Sequence, residues 1–181
     1  MKNVIKVKDK AFELFITEKE VNEAIARIAA QINRDLDGKD PLFICVLNGA
    51  FMFAAELMKR VTIPCEVTFV RVASYKGTTS SGVLKEIYSL EEEIEGRTVV
   101  IVEDIVDTGN TMSLILDQLS CDNPKEIKIA TLLFKPAALK CELNLNYVAL
   151  EIPNDFILGY GLDYDGYGRN LADIYKIVVS D

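Results

Sequence analysis

The sequence contains no histidine, and its four cysteines form no Cys-x-x-Cys pair. A Ser–His–Asp triad and a Cys/His zinc site are therefore excluded, and any general base has to be Asp, Glu, Lys, Tyr or Cys. We expect all four cysteines to be reduced thiols in a cytoplasmic protein, two of them in the core. The cysteines are Cys45 and Cys65, predicted in the core, and Cys121 and Cys141.

Long apolar runs and an excess of positive charge are also missing. No segment approaches the roughly 18 consecutive apolar residues of a membrane span, and residues 1–6 lack the apolar centre of a signal peptide. Lysine and arginine number 20 against 28 aspartates and glutamates, which gives a net charge of −8. Because nonspecific nucleic-acid binding needs a basic surface, we expect neither a nucleic-acid partner nor a membrane partner.

What is present predicts a single domain in which strands and helices alternate. The chain has 181 residues, half of them hydrophobic, which is enough for one sizeable core. A capping box at residues 17–20 predicts the start of a helix that runs until near Gly38. Further helices are predicted over 51–60 and from about 112 to 121. Strands are predicted over 41–47, 65–72, 83–90, 99–102, 126–134, 147–150 and 174–179.

The most informative stretch is residues 99–111, which read Val-Val-Ile-Val-Glu-Asp-Ile-Val-Asp-Thr-Gly-Asn-Thr. Four β-branched residues in a row are typical of a parallel strand buried on both faces. Glu103 and Asp104 follow at once, so two carboxylates are expected at the carboxyl end of that strand, where ligands bind in open α/β sheets. A helical pattern begins at Met112.

The loop between this strand and its helix, residues 107–111, has the composition of a phosphate site. Gly109 allows a positive φ and a close approach of the backbone to a ligand, and a loop that opens a helix presents free N–H groups to an anion. The two acids behind it suit ribose hydroxyls, or magnesium held through water. The stretch therefore predicts a ribose 5-phosphate site, with an ordinary capped turn as the alternative.

Four other segments carry polar or aromatic candidates, each with a plainer alternative. Residues 47–49 form a second anion loop or a tight turn. Residues 73–82, small and hydroxylic, form a lid that keeps water from an activated sugar or a linker. Lys135 ends a strand and is a ligand or a solvated side chain. Phe156, in the irregular segment 151–164, is a stacking platform for a planar base or part of the core.

On residues 47–49, 74–75, 103–111 and 151–169, in that order, the chain resembles the hypoxanthine-guanine phosphoribosyltransferases, type I phosphoribosyltransferases of purine salvage. The resemblance implies an α/β fold, a parallel sheet flanked by helices with a small hood subdomain. One domain would span 1–181, with its core over about 17–150 and its hood over about 1–16 and 152–181. A homodimer or homotetramer is implied as well.

The implied reaction transfers the 5-phosphoribosyl group from phosphoribosyl pyrophosphate to hypoxanthine or guanine, giving IMP or GMP and pyrophosphate, with Mg²⁺. The resemblance also implies a role for each motif residue. The phosphoribosyl group is held by Glu103, Asp104, Asp107, Thr108, Gly109, Asn110 and Thr111, with Asp107 as the catalytic base. Pyrophosphate is held by Leu47, Asn48, Gly49 and Arg169, and the lid is opened by Ser74 and Tyr75. The purine is held by Lys135, Phe156, Ile157 and Asp163, and magnesium by Glu103 and Asp104, with a second ion at Asp163.

Two departures from the family pattern leave the choice among hypoxanthine, guanine and xanthine open. Asn48 stands where many mammalian relatives carry a lysine, and Asn154-Asp155 precedes Phe156 where some relatives have a lysine beside the ring. Two other functions compete with salvage of a 6-oxopurine. An RNA-binding regulator with the same fold is disfavoured by the negative charge. A transferase for adenine or a pyrimidine is disfavoured by Lys135 together with the Phe156 segment.

Overall fold

The computed structural model describes residues 4–75, 84–88 and 90–178. The helices are α1 (Glu18–Asp35), α2 (Phe51–Met58) and α3 (Asn110–Ser120). The strands are β1 (Val4–Val7), β2 (Lys10–Ile16), β3 (Leu42–Leu47), β4 (Glu66–Tyr75), β5 (Leu84–Tyr88), β6 (Thr98–Val106), β7 (Glu126–Phe134), β8 (Tyr147–Glu151), β9 (Ile157–Leu158) and β10 (Ile174–Ile177). Among these described helices, none has the length and apolar character needed to cross a bilayer.

The larger sheet has six strands in the order β5-β4-β3-β6-β7-β8. Five of them are parallel, and β5 pairs antiparallel with β4 at one edge. Alternate residues of β6 face opposite layers: Val100 and Val102 pack with α1 and α2, whereas Val99 and Ile101 pack with α3. The predicted parallel sheet with helices on both faces is therefore confirmed, and the β-branched run is buried as expected.

The smaller sheet has four antiparallel strands in the order β1-β2-β10-β9. Its own apolar cluster is formed by Phe12, Leu158 and Tyr175. We call this sheet the hood, together with the turns from β1 to β2 and from β9 to β10 and the residue before β9, Phe156. The predicted boundaries between hood and core stay a prediction.

The first helix is tied to the hood at its amino terminus. The Thr17 hydroxyl accepts from the Glu20 N–H at 3.3 Å, and the Glu20 carboxylate accepts from the Thr17 N–H at 2.8 Å, which completes the predicted capping box. The Asp173 carboxylate, just before β10, accepts from the Glu18 N–H at 2.7 Å. A carboxylate at this end of a helix is stabilised by the helix dipole.

Two predicted boundaries were wrong for the same physical reason, a strand partner that the sequence pattern does not reveal. Strand β6 does not end before its acids, because β7 continues the ladder as far as Val106 and Phe134. Glu103 and Asp104 therefore lie inside the strand. Ala73–Tyr75, predicted as part of the lid, belong to β4 because β5 pairs with them. Residues 76–82, the rest of the predicted lid, lie outside the described residues.

Candidate active site

The loop from Asp107 to Thr111 connects β6 to α3 and contains the glycine on which its shape depends. Gly109 is the residue before the helix and has φ +84°. A side chain there would be strained, and its Cβ would also meet the Cys141 sulfur and two leucines. The first N–H groups of α3 have no partner within the helix. The loop thus offers backbone donors beside a cavity of about 270 Å³ lined by Glu103–Gly109, Thr111 and Met112.

The segment after β7, at residues 140–141, holds this loop by hydrogen bonds that the sequence did not predict. The Lys140 N–H donates to the Thr108 carbonyl at 3.0 Å. The Cys141 thiol donates to the same carbonyl at 3.7 Å and accepts from the Ser113 hydroxyl at 3.3 Å. Each of these contacts joins residues about thirty positions apart in the chain, so local spacing carries no signal for them.

The two acids of β6 lie next to the loop and are partly shielded from solvent. Glu103 is buried, and its carboxylate accepts from the Asp104 N–H at 3.2 Å. The Asp104 carboxylate accepts from the Ile105 N–H at 2.8 Å. Burial raises the pKa of Asp104, although its hydrogen bonds with Glu103 and Ile105 and the charge of Arg169 oppose that rise. The predicted acid pair is therefore present at the cavity, with interacting carboxyl groups.

The loop at residues 47–49 lies between these acids and the hood. The peptide bond between Leu47 and Asn48 is cis. A Cβ on Gly49 would overlap the Asp104 carboxylate, and a Cβ on Gly161 of the hood would overlap the Gly49 carbonyl oxygen. Arg71 on β4, which the sequence did not single out, donates to the Asn48 side-chain oxygen at 3.1 Å. Three segments far apart in sequence thus approach closely, with Gly49 against the Asp104 side chain and Gly161 against the Gly49 carbonyl.

The hood delivers Arg169 and Asp163 to the same edge as one unit. The guanidinium of Arg169 lies 2.6 Å from the Asp163 carboxylate and donates to the Gly161 carbonyl at 2.7 Å. Asp163 also accepts from the Gly166 N–H at 2.6 Å. Within the described part of the chain, no three potential metal ligands of the Asp, Glu, Cys or His type come together. The acids predicted as magnesium ligands are therefore separated into the pair on β6 and the single Asp163.

Lys135 and Asp107 form the charged centre of the site. The Lys135 ammonium is buried, 3.4 Å from the Asp107 carboxylate, which is about half exposed. The backbone N–H of Lys135 donates to the Val106 carbonyl at 3.0 Å, which fixes the lysine beside the end of β6. The alternative of a merely solvated lysine is wrong.

The aromatic candidate Phe156 lies in the hood and is 44% exposed, so the alternative of a core residue is wrong. The neighbouring Ile157 is buried in β9 and pairs with Lys176 of β10. Ser74 and Tyr75 are at the end of β4, and their side chains lie outside the described residues.

Comparison with known proteins places these features in one family. Residues 16–165 match the model of the phosphoribosyl transferase domain. A hypoxanthine-guanine phosphoribosyltransferase of Mycobacterium tuberculosis (strain ATCC 25618 / H37Rv) is 39% identical over 168 residues, which cover 89% of this chain and 83% of that protein. The chain belongs to the hypoxanthine-guanine phosphoribosyltransferase family.

The relatives differ in the share of their length that this chain covers. The crystal structure of a hypoxanthine-guanine phosphoribosyltransferase from Bacillus anthracis has a TM-score of 0.82 and 36% identity, and the match covers 98% of this chain and 100% of that one. The "Bifunctional protein TilS/HprT" of Listeria monocytogenes is 41% identical over 163 residues, and this chain spans only 25% of that protein's length. The predicted family and fold class are confirmed by these comparisons.

Proposed function

We propose that this chain transfers the 5-phosphoribosyl group from phosphoribosyl pyrophosphate to a 6-oxopurine, hypoxanthine or guanine, giving IMP or GMP and pyrophosphate. The observation that carries the proposal is the buried Lys135 ammonium, 3.4 Å from the Asp107 carboxylate on the wall of the cavity beside the loop at 107–111. A donor for the base, an acceptor for its proton and donors for a phosphate are thereby within one site.

The sugar phosphate would occupy the loop and the acid pair. The N–H groups at the start of α3 bind the 5′-phosphate, since a helix amino terminus favours anions. The carboxylates of Glu103 and Asp104 accept from the ribose hydroxyls. The loop at residues 47–49 and Arg169 hold the pyrophosphate, and the contact of Gly161 with Gly49 keeps those two parts in register.

The base would be selected by the chemistry of Lys135. An ammonium is a donor only, so it pairs with the 6-oxo group of hypoxanthine or guanine and leaves the 6-amino group of adenine without an acceptor. Burial strengthens this discrimination, because an unpaired charge away from water is costly. The exposed face of Phe156 stacks on the purine, a contact typically worth ~1–3 kcal/mol per base. The backbone of Ile157 reads the edge of the base, and Asp163 completes the base pocket.

During transfer, C1′ of the sugar becomes positively charged as pyrophosphate leaves. N9 of the purine bonds to C1′ as the bond from C1′ to the pyrophosphate oxygen breaks. The proton on N7 of the same purine passes to Asp107. A positioned base of this kind contributes typically ~10²–10⁴-fold to the rate. Arg169 stabilises the charge that develops on the departing pyrophosphate.

Magnesium fits the oxygen donors of this site. Glu103 and Asp104 supply hard carboxylate ligands, and Asp163 would serve a second ion only by exchanging its contact with Arg169. With only two protein carboxylates adjacent on β6, the remaining ligands would be substrate oxygens and water. When bound, magnesium neutralises charge on the pyrophosphate.

The assembly and location of the enzyme are part of the proposal. We place the reaction in the cytoplasm and assign the chain to a homodimer or homotetramer, as the family resemblance implies. Static light scattering on the purified chain measures the oligomeric mass directly, and a monomer would contradict the assignment.

A turnover assay with phosphoribosyl pyrophosphate and magnesium tests the function, with hypoxanthine, guanine, xanthine and adenine offered separately. We expect hypoxanthine or guanine to give the highest kcat/KM and adenine to be lower by at least about 100-fold, since a buried polar group left unpaired rejects an analogue strongly. A preference for adenine, or no turnover of any purine, would overturn the proposal.

A further inference from the structure

The ring of Phe156 is held in place by other aromatic residues of the hood. Its centroid lies 6.2 Å from that of Phe12, which is fully buried, and 5.9 Å from that of Tyr164. The Tyr164 ring meets it at an interplanar angle of 85°, an edge contact of the favourable kind. Phe12 therefore anchors the cluster in the hood core, and Tyr164 supports the ring nearer the surface.

Tyr164 is in turn held by the turn between β1 and β2. Its hydroxyl donates to the Asp9 carboxylate at 2.9 Å, and this hydrogen bond lowers the pKa of Asp9. The Lys10 ammonium lies 4.9 Å from the centroid of the Tyr164 ring and 6.0 Å from that of Phe156. The tyrosine is thus fixed at its hydroxyl by Asp9 and over its ring by Lys10.

We infer that Tyr164 is a positioning residue for the purine, acting through Phe156, and that Asp9 and Lys10 determine base affinity through Tyr164. The inference rests on the proposed function, in which Phe156 stacks on the base. A phenylalanine with nearly half of its surface exposed has several accessible rotamers. The edge of Tyr164 selects one of them, so the platform is in place before the base arrives and binding costs less side-chain entropy.

The expected effect is confined to the base. The phosphate loop, the acid pair and Lys135 all lie on the large sheet. Arg169, the hood residue proposed to hold pyrophosphate, is held by Asp163 and by the Gly161 carbonyl instead of by Tyr164. Removing the contact by which Tyr164 supports Phe156 therefore weakens hypoxanthine binding without changing the site of phosphoribosyl pyrophosphate.

Steady-state kinetics of two variants at position 164 test this role. Tyr164→Leu removes the ring, and we expect the KM for hypoxanthine to rise by about threefold to tenfold, the range of an aromatic pair contact. The KM for phosphoribosyl pyrophosphate and kcat should change less than about twofold. The residues proposed to bind that substrate, and the proposed base Asp107, take no part in the Tyr164 contacts described above. Tyr164→Phe keeps the ring and should restore most of the base affinity.

Two further variants separate positioning from general damage to the hood. Tyr167→Leu changes the other tyrosine of the same turn, which is exposed and contacts Lys8 instead of Phe156, and should leave all constants at wild-type values. Asp9→Asn keeps an acceptor for the Tyr164 hydroxyl and should match wild type, whereas Asp9→Ala should raise the KM for hypoxanthine.

Calorimetric binding of IMP gives a readout that does not require turnover. We expect its Kd to rise by the same factor in Tyr164→Leu as the KM for hypoxanthine. Wild-type affinity in a folded Tyr164→Leu protein would overturn the inference, and so would an equal loss in Tyr167→Leu. If the wild-type chain itself neither turns over a purine nor binds IMP, the proposed function fails, which is a distinct result.

Discussion

The carboxylate of Asp107 and the ammonium of Lys135 compensate each other before any substrate arrives, at 3.4 Å. Lys135 is buried, so its charge would be costly without a carboxylate close by. In the proposed reaction both groups turn toward the purine, the lysine to the 6-oxo group and the aspartate to the N7 proton. Binding of the base thus frees the acceptor that the chemistry needs.

Asp107→Asn tests the role of this acceptor. Asparagine has nearly the same shape and still offers an oxygen to Lys135, but it cannot take up a proton. We expect kcat to fall by roughly 10²–10⁴-fold while the KM values change little. Pre-steady-state and steady-state turnover measure this, and a kcat near that of the wild type would remove Asp107 from the role.

Tyr160 carries a buried hydroxyl that, unlike Lys135, has no polar partner among the described residues. Its side chain is 1% exposed, and its hydroxyl has no hydrogen-bond partner among the described residues. Burial also raises the pKa of this tyrosine to about 12. The ring belongs to the main core, and the next residue, Gly161, lies against the Gly49 carbonyl of the loop at 47–49.

Tyr160→Phe should therefore stabilise the protein. Removing an unsatisfied buried hydroxyl is expected to raise the free energy of unfolding by about 1–2 kcal/mol, measured by urea denaturation. Tyr147→Phe is the matched control, because the buried Tyr147 hydrogen-bonds with Asp35 and its loss should lower stability by about 1 kcal/mol. Equal changes in the free energy of unfolding at both positions would contradict the conclusion that the Tyr160 hydroxyl is unsatisfied.

At the scale of the elements, the site is assembled where three segments approach one another closely at two glycines. The end of β3, the acids of β6 and the hood turn approach so closely that Gly49 and Gly161 have no room for a Cβ. Only Gly161 of these two has a positive φ, at +99°. Gly49 is therefore required for space alone, and a methyl group there would push against Asp104.

Gly49→Ala isolates this steric requirement. We expect the KM for phosphoribosyl pyrophosphate to rise at least about tenfold, since overpacking typically costs 1–3 kcal/mol and displaces the acid pair. Gly38→Ala is the control: its Cβ would meet nothing within 4 Å, and its positive φ should lower stability by roughly 1 kcal/mol without changing KM. An unchanged KM in a folded Gly49→Ala protein would show that the elements separate easily.

At the scale of the whole molecule, the net charge of −8 bears on partners. A chain with this balance repels a polyanion unless it collects its cations on one face. Among the described residues, many lysines and arginines are paired with acids, as at Lys8–Asp165, Lys39–Glu126 and Arg60–Glu56. The positive charge at these pairs is therefore compensated locally.

We therefore expect no RNA binding by the purified chain. A gel-shift titration at about 0.1 M salt, where exposed charges still interact over roughly 10 Å, should show no shifted band. A shift that weakens steeply with added salt, in a protein without turnover, would instead support the RNA-binding regulator.

The sequence predicts structural features that depend on nearby residues and misses those that depend on distant ones. The capping box at residues 17–20, the buried run at 99–102 and β7 over 126–134 were read from spacing and are present as predicted. The continuation of β6 past its acids was missed, because it depends on a neighbouring strand. The contacts of Arg71 with Asn48 and of Cys141 with Thr108 join distant parts of the chain, and no pattern within one sequence reports them.

The pairing of β2 with β10, in which Ile16 lies opposite Ile174, has a consequence for biosynthesis. While residues near 174 are still inside the ribosome, the smaller sheet lacks β10, whereas every described strand of the large sheet lies earlier in the sequence. The aromatic platform has to wait for the last strand of the smaller sheet. Nascent chains stalled before that point would thus carry the phosphate loop and Lys135 but not the paired strand that completes the sheet beside Phe156.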